Sequence, residues 1–208
     1  MNPVSAAAAL LASYLLGAIP TSYLVGRVFR GIDLREHGSG NLGATNLYRT
    51  QGWKFALPVG LFDIAKGAVP VLAIAPPVSG SQLFALACGL MAVVGHVFSL
   101  FVRFKGGKGV ATAAGVMLGL SPYAVLALVA IWAVVVFATG YVSLGSIVAA
   151  ALLPLLVWVL DPGSRNLVAL DALVAAGIIW LHRANIRRLL AGTENRFGKR
   201  RATAPPST

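Results

Sequence analysis

Long apolar runs separated by basic connections constrain the fold of this chain more than any other feature. The first run, Val4 to about Gly26, has about 23 residues, and roughly 20 suffice to cross the hydrocarbon core of a bilayer. Hydrophobic residues make up 58% of the chain and charged residues 11%, which is too apolar for a soluble domain. Six further runs follow: Phe55 to Ala75, Leu83 to Val102, Val110 to about Leu120, Tyr123 to Ala138, Ile147 to Leu160, and Leu167 to about Leu181. The sequence therefore predicts an all-α, polytopic integral membrane protein with seven transmembrane helices.

The fourth run, residues 110–120, is short for a complete span because Ser121 and Pro122 stop it. We expect a short or tilted helix, or one that lines a cavity. The first run lacks a basic leading segment and a cleavage site, so it is interpreted as a retained helix rather than a signal peptide. Cys88 is the only cysteine and lies in an apolar run, which argues against a disulfide and a thiolate zinc site.

Lysine and arginine positions predict the orientation. Five lie in residues 27–54, three in residues 103–108 and seven in residues 183–201, all on one side if every run crosses. Basic loops favour the cytoplasm, so the N-terminus is predicted outside and the C-terminus inside. The net charge of +11 thus reflects membrane orientation and does not indicate nucleic acid. Residues 197–208 are predicted to be a disordered basic cytoplasmic tail, which leaves residues 1–196 as a single transmembrane domain.

The first polar connection contains a stretch that is rich in glycine, hydroxyl and amide groups and ends in an arginine. Its members are Gly38, Ser39, Gly40, Asn41, Gly43, Thr45, Asn46 and Arg49. Glycine permits close approach of a ligand to the backbone, and an arginine can bind a phosphate through two parallel hydrogen bonds. An ordinary flexible loop is the alternative. The stretch is not the dinucleotide-binding fingerprint, because no strand precedes it.

A second polar stretch follows the third run and combines Lys105 and Lys108 with Gly106, Gly107 and Gly109. Glycines can turn successive backbone N–H groups toward one point, and such a concavity beside two ammonium groups suits a phosphate. The alternative is a turn whose lysines lie at the lipid headgroups. The stretch is not a Walker A loop, since glycine rather than serine or threonine follows the second lysine, so ATP hydrolysis is not expected.

A third polar stretch begins where the last run ends. His182 and Asn185 share one helical face, and residues 182–190 are predicted to form an amphipathic basic helix. An ionisable residue at membrane depth is a functional candidate by default. The arginines of this segment, such as Arg183 and Arg188, also fit an interfacial anchor that binds lipid headgroups.

Two ionisable groups lie one helical turn apart inside the second run. Asp63 and Lys66 are predicted to form an internal ion pair that shapes a pocket, because unpaired charges are costly in a membrane. His96 is interpreted as a packing or hydrogen-bonding residue. No set of residues has metal-ligand spacing, and no nucleophile elbow is present. Several phosphate-binding groups without a metal or nucleophile favour direct transfer between two phosphate-bearing substrates.

The three polar stretches together resemble the signature motifs of the PlsY family, the bacterial membrane glycerol-3-phosphate acyltransferases that use acyl phosphate. Gly38 to Arg49 meets every fixed position of the first motif, Gly95 to Thr112 meets the second, and His182 to Glu194 meets the third. The resemblance extends from about Arg27 to Arg196, nearly the whole chain. The His-x-x-x-x-Asp motif of unrelated acyltransferases is absent.

The resemblance implies transfer of a fatty acyl group from acyl phosphate to the sn-1 hydroxyl of glycerol 3-phosphate, giving lysophosphatidic acid and phosphate in the first acylation of phospholipid synthesis. It implies an enzyme of the bacterial inner membrane with a cytoplasmic active site, two substrates, the bilayer as its surroundings, and no cofactor or metal. The predicted catalytic residues are Ser39, Arg49, Lys105, His182 and Asn185. The predicted substrate- and phosphate-binding residues are Gly38, Gly40, Asn41, Thr45, Asn46, Gly106, Gly107, Lys108, Gly109, Arg183, Arg188 and Glu194.

The expected mechanism divides the two phosphates between the polar stretches. The two lysines and the glycine N–H groups would neutralise one phosphate, while Arg49, Ser39 and Asn41 with the face of His182 and Asn185 would hold the other substrate. The proton would go to this histidine or, as is slightly favoured, to a substrate phosphate. The acyl chain is expected to enter sideways between helices. A transporter for a phosphorylated metabolite is the alternative class, but the outer half carries almost no charge.

Overall fold

The computed structural model describes residues 1–197, which contain helices and no strands. Ten α-helices lie within the described residues: α1 (Pro3–Ala18), α2 (Thr21–Arg30), α3 (Ala44–Gln51), α4 (Trp53–Val69), α5 (Gln82–Val97), α6 (Val110–Leu120), α7 (Pro122–Thr139), α8 (Val142–Leu160), α9 (Val168–Leu181) and α10 (Arg183–Leu190). A π-helical segment, Pro70–Ile74, continues α4. Two 3-10 segments, Leu100–Val102 and Pro162–Leu167, follow α5 and precede α9.

Six helical segments in this part of the chain are long and apolar enough to cross a membrane: Pro3–Arg30, Trp53–Ile74, Gln82–Val102, Pro122–Thr139, Val142–Leu160 and Pro162–Leu181. The seventh predicted span, α6, is a shorter apolar helix of 11 residues, as its sequence indicated. That all seven cross, and the side on which each terminus lies, remain predictions.

The short helix α6 packs with its backbone against that of α4. A Cβ atom added to Gly67 would overlap the carbonyl of Thr112, and one added to Gly115 would overlap the carbonyl of Ile64. Helices in a bilayer associate through such close van der Waals contact, because lipid tails are as apolar as leucine side chains. The start of α6, directly after the lysine-glycine stretch, is therefore held against the interior of the protein.

The first apolar run, predicted as one retained helix, is divided into α1 and α2, because Ile19 and Pro20 are not helical. Pro20 has no backbone N–H and cannot continue the helical hydrogen-bond pattern. The Ile19 carbonyl at the bend accepts a hydrogen bond from Lys66 Nζ at 3.0 Å. Lys66 also pairs with Asp63 Oδ1 at 2.8 Å, so the predicted internal ion pair is confirmed and connects α4 to the bend.

Two connections contain more helix than the sequence predicted. The polar connection 27–54 includes α3, whose eight residues are too few to show a helical period. The connection between the predicted runs that end at Ala138 and begin at Ile147 is reduced to two residues, since α7 ends at Thr139 and α8 begins at Val142. Phe197, the first residue of the predicted tail, stacks on Tyr48 with ring centroids 4.7 Å apart. Residues 198–208 lie outside the described residues.

Candidate active site

A cavity of about 590 Å³ lies among α3, α4, α6, α7, α8 and the junction of α9 and α10. Most of its polar lining comes from loops and helix ends, and its apolar lining comes from helix interiors. The polar residues are Ser39, Asn41, Thr45, Asn46, Arg49, Asp63, His96, Lys108, Ser143, Ser146, His182 and Asn185. The apolar residues include Leu57, Leu61, Ile64, Met117, Val125, Leu128, Val129, Trp132 and Leu153. Such a cavity suits a molecule with a charged part and a long apolar part.

Lys108 places an ammonium group on the cavity wall. Its Nζ donates a hydrogen bond to Asn185 Oδ1, so the second and third polar stretches meet here. The pKa of Lys108 is lowered to about 8, chiefly by burial; Glu194 opposes this shift, while Arg188 and Arg49 add to it. The side chain is therefore still mostly charged at pH 7 and can bind a phosphate.

Glu194 lies behind Asn185 and fixes its position. Its carboxylate accepts hydrogen bonds from Asn185 Nδ2 at 2.8 Å, Ser143 Oγ at 3.0 Å and Arg188 Nε at 2.6 Å. Burial alone would raise the pKa of Glu194, but these three hydrogen bonds hold it below its usual range. Glu194 and Arg188, both predicted to bind substrate, are not among the cavity-lining residues. They instead hold the residue that contacts Lys108.

His182 lies on the cavity wall as a neutral ring. It is 3% exposed, and its Nδ1 lies 2.8 Å from the carbonyl of Ile178. A carbonyl only accepts hydrogen bonds, so Nδ1 carries the proton and Nε2 is left as an acceptor. Burial, and secondarily the charge of Lys108, lowers the pKa of His182 to about 4. A group with this pKa is a weak proton acceptor at pH 7.

Asn46 organises the first polar loop from within. Its Oδ1 accepts from the backbone N–H of Ser39 at 2.8 Å, and its Nδ2 donates to the carbonyls of Leu34 and His37 at 3.1 and 3.0 Å. Both N–H donors of the amide and one acceptor position of its oxygen are thus used by the protein itself. This loop geometry presents Ser39 to the cavity, together with Asn41.

Arg49 connects the first loop to the C-terminal segment. Its Nη2 donates to the carbonyl of Asn195 at 3.3 Å, whereas its Nε is buried without a hydrogen-bond partner among the described residues. Burial lowers the pKa of Arg49, although a guanidinium remains charged at neutral pH. The position on the cavity wall makes the guanidinium of Arg49 available to an anion.

The glycine N–H groups were predicted to form a concavity that binds an anion, and this was wrong for Gly106 and Gly107. The N–H of Gly106 donates to the carbonyl of Val97 at 2.9 Å, and that of Gly107 to the carbonyl of His96 at 3.1 Å. A Cβ atom on Gly107 would overlap the His96 ring and the Leu42 carbonyl. These glycines let the chain pass close beneath the end of α5, and their donors are not free for a phosphate.

The remaining predicted site residues divide between the cavity and the surface. Asn41, Thr45 and Gly109 line the cavity, whereas Gly38 and Gly40 shape the loop through positive φ angles of 63° and 70°. Two others, Lys105 and Arg183, are exposed. Arg183 lies 4.1 Å from the centroid of the Trp180 ring, in agreement with the interfacial-anchor alternative.

Four polar or aromatic residues that line the cavity were not predicted as site residues from the sequence: Ser143, Ser146, Trp132 and His96. Ser143 and Ser146 belong to the first turns of α8, which precede the predicted apolar run beginning at Ile147. Trp132 Nε1 donates to Ser146 Oγ at 3.4 Å. The one sequence signal that could have identified the two serines is that they are small hydroxyl residues on the side of the membrane where the basic residues are predicted.

Fold and site together define a class: an all-helical, multi-pass membrane protein whose interior cavity fits an amphiphilic, phosphate-bearing molecule. Residues 7–192 match the sequence model of the glycerol-3-phosphate acyltransferase family. The glycerol-3-phosphate acyltransferase of Trichlorobacter lovleyi is 49% identical over 89% of this chain and 94% of its own length. That of Chlorobaculum parvum is 44% identical over 90% and 95%.

Two solved structures have the same fold. Both are of PlsY, described as an integral membrane glycerol 3-phosphate acyltransferase. The glycerol 3-phosphate form superposes with a TM-score of 0.87 at 39% identity, covering 93% of this chain and 96% of that one. The lysophosphatidic acid form gives a TM-score of 0.84 at 38% identity with the same coverage. The chain belongs to the glycerol-3-phosphate acyltransferase family of the PlsY type. It is an acyltransferase, which removes the transporter alternative.

Proposed function

We propose that this enzyme transfers a fatty acyl group from acyl phosphate to the sn-1 hydroxyl of glycerol 3-phosphate and releases lysophosphatidic acid and phosphate. The observation that carries this proposal is the cavity itself. Its cationic wall, with Lys108 and Arg49, suits the phosphates of both substrates, and its apolar wall suits a fatty acyl chain. Relatives named glycerol-3-phosphate acyltransferase, and a structural neighbour solved in a glycerol 3-phosphate form, support the choice of acceptor.

The acyl chain would enter from the bilayer between α4 and α7. Leu57 and Leu61 of α4 and Val129 of α7 line the cavity and are each more than half exposed on the lipid-facing surface, at 55%, 59% and 53%. An apolar wall that is continuous with the outer surface lets a membrane-dissolved chain reach the site without crossing water.

The transfer itself needs little more than placement of the two substrates. Acyl phosphate is a mixed anhydride, so the hydroxyl oxygen attacks the acyl carbon, the bond from that carbon to the phosphate oxygen breaks, and phosphate leaves with the electron pair. Holding the reactants in line supplies much of the rate. Lys108 and Arg49 would stabilise the negative charge on the leaving phosphate. No covalent enzyme intermediate and no metal are part of this scheme.

The proton of the attacking hydroxyl would pass to a substrate phosphate, whose second pKa is about 6. The alternative acceptor, His182, has a pKa lowered to about 4, which makes it the weaker base. Its neutral Nε2 can still accept a hydrogen bond from the acceptor substrate and orient it. His182→Gln should therefore keep most of its turnover, and a loss of several orders of magnitude in kcat would establish His182 as the general base.

The proposed setting is the bacterial inner membrane, with the active site at the cytoplasmic face and residues 1–196 as one transmembrane domain. The basic residues of the three polar stretches support this orientation through the positive-inside rule. Seven crossing helices place the N-terminus outside and the C-terminus inside. Labelling of single cysteines introduced at Ser5 and Gly192 with a membrane-impermeant maleimide tests it: only the first should react in intact cells.

Phosphate release from defined substrates tests the reaction. Purified enzyme in detergent, without divalent metal, would receive glycerol 3-phosphate and either palmitoyl phosphate or palmitoyl-CoA. We expect phosphate and lysophosphatidic acid to appear in equal amounts, and only with the acyl phosphate. Product from palmitoyl-CoA alone would overturn the proposed donor. Phosphate without lysophosphatidic acid would overturn the acceptor.

A further inference from the structure

Asp63 stands out among the residues that line the cavity, because it is the only carboxylate there in the described part of the chain. Two phosphate-bearing substrates are anions, and a carboxylate beside a phosphate is repulsive. The rest of the polar lining is cationic or neutral. A carboxylate in this position can bind only a substrate group that donates a hydrogen bond, and a hydroxyl group is such a donor.

The surroundings of Asp63 leave one of its oxygens free. Lys66 Nζ lies 2.8 Å from Oδ1, Thr21 Oγ1 lies 3.5 Å from it, and His96 Nδ1 lies 3.8 Å from it. All three contacts thus reach the same oxygen. Among residues 1–197 no hydrogen bond reaches Oδ2. Asp63 lines the cavity, and Oδ2 is the carboxylate oxygen whose hydrogen-bonding capacity the protein leaves unused.

The paired lysine explains how a carboxylate is tolerated beside bound phosphates. Lys66 is almost fully buried, with 2% exposure, and its position is fixed by the Ile19 carbonyl. The two opposite charges largely cancel at the distance of a bound phosphate, whereas a hydroxyl in contact with Oδ2 still meets a full acceptor. The pair can therefore bind a hydroxyl group without expelling the phosphate.

His96 lies near the same carboxylate oxygen as Lys66. Its Nδ1 is buried without a hydrogen-bond partner in the described part of the chain, and its ring lies close to Gly107. Hydrogen bonds of a site are often long before substrate binds and tighten afterwards. The 3.8 Å gap to Asp63 Oδ1 fits a bond that closes when the carboxylate is engaged.

The carboxylate lies close to both phosphate-binding stretches. A Cβ atom added to Gly60, one helical turn before Asp63, would touch Ala44 at 3.6 Å, next to Thr45 of the first stretch. His96 contacts Gly107, the neighbour of Lys108 in the second stretch. Asp63 and the two phosphate-binding groups Lys108 and Arg49 also line the same cavity.

We propose that Asp63 binds the non-reacting C2 hydroxyl of the glycerol 3-phosphate acceptor through Oδ2, with Lys66 and His96 as positioning residues that hold the carboxylate. This inference rests on the proposed function. The reacting hydroxyl must face the acyl carbon, so the C2 hydroxyl is the group that needs a permanent partner. The site would in this way distinguish a glycerol phosphate from other small phosphorylated alcohols.

The test compares two acceptors that differ in this hydroxyl alone: glycerol 3-phosphate and 3-hydroxypropyl phosphate, with palmitoyl phosphate as donor. In the wild-type enzyme we expect kcat/KM to favour glycerol 3-phosphate by about 10- to 100-fold, the typical effect of one hydrogen bond to a charged group. Asp63→Asn should remove most of this preference by lowering kcat/KM for glycerol 3-phosphate while changing that for 3-hydroxypropyl phosphate little. His96→Gln should act in the same direction with a smaller effect.

Asp161→Asn is the matched control. Asp161 is also buried, and its Oδ2 accepts a hydrogen bond from the Ala124 N–H at 2.8 Å, but it does not line the cavity. Damage that is only structural, as in this control, should change both acceptors by the same factor. An equal fall for both acceptors in Asp63→Asn, or a wild-type enzyme that does not distinguish the acceptors, would overturn the inference. Wild-type inactivity with both acceptors would instead count against the proposed function.

Discussion

Lys105 and Lys108 belong to one glycine-rich stretch, yet the fold gives the two halves of that stretch opposite surroundings. The first half turns outward: Lys105 is exposed, and Arg103 and Phe104 before it have φ angles of 58° and 60° in the left-handed region. The second half passes beneath α5 and delivers Lys108 to the cavity wall, in contact with Asn185. Membership in a motif thus does not define a residue's role. Burial and a fixed partner separate the lysine that can do chemistry from the one that meets lipid headgroups or water.

Replacing the inner lysine should give the largest effect. Lys108→Ala removes the ammonium group that faces the leaving phosphate, and we expect kcat to fall by about 10²- to 10³-fold, as for loss of one preorganised charge-stabilising donor. Steady-state phosphate release measures it. The melting temperature of the purified variant serves as the control for folding, and a folded variant with more than a third of wild-type kcat would contradict this role.

Filling the space under α5 should give the next largest effect. In Gly107→Ala the new Cβ atom meets the His96 ring and the Leu42 carbonyl, and overpacking of this kind costs about 1–3 kcal/mol. We expect a lower melting temperature and a reduced kcat, because Lys108 is displaced with its neighbour. Gly177→Ala, a helical glycine with open space around it, is the matched control and should leave both unchanged. Similar behaviour of the two variants would show that the close passage is not required.

The dependence of kcat/KM on pH distinguishes Lys108 from Lys105 without a change in packing. The pKa of Lys108 is lowered to about 8, so its charge is complete at pH 6 and is lost as the pH rises above 8. We expect kcat/KM, which reports groups of the free enzyme, to fall about tenfold per pH unit above that value. Lys108→Arg keeps a charge at every accessible pH and should lose this alkaline limb. Lys105→Arg should retain it, and an unchanged limb in Lys108→Arg would assign it to another group.

The outer cations should give the smallest effects. Lys105→Ala and Arg183→Ala change exposed side chains that do not line the cavity, so we expect kcat within about threefold of wild type, in line with the small effects of most surface substitutions. The same phosphate-release measurement checks both. A hundredfold loss in Lys105→Ala would remove the distinction between the two halves of the stretch.

The sequence predicted the membrane class, the short helix α6, the ion pair of Asp63 and Lys66, and the shared face of His182 and Asn185. These features depend on local quantities, namely the length of apolar runs, helical spacing and the cost of an unpaired charge in lipid. The break at Pro20 and the helix α3 were missed, because one lies inside a uniform apolar run and the other is too short to show a period.

The sequence alone thus determined the membrane class of the protein and which residues were candidates for binding a phosphate. Only the tertiary structure decided which of them share a cavity. Lys108 is hydrogen-bonded to Asn185, 77 residues away in the chain, and Ser143 to Glu194, 51 residues away. The N–H groups of Gly106 and Gly107 donate to carbonyls at the end of α5. Contacts of this kind depend on how the helices pack. The burial of a side chain and its hydrogen-bond partners determine its charge and its free donors, and therefore its chemistry.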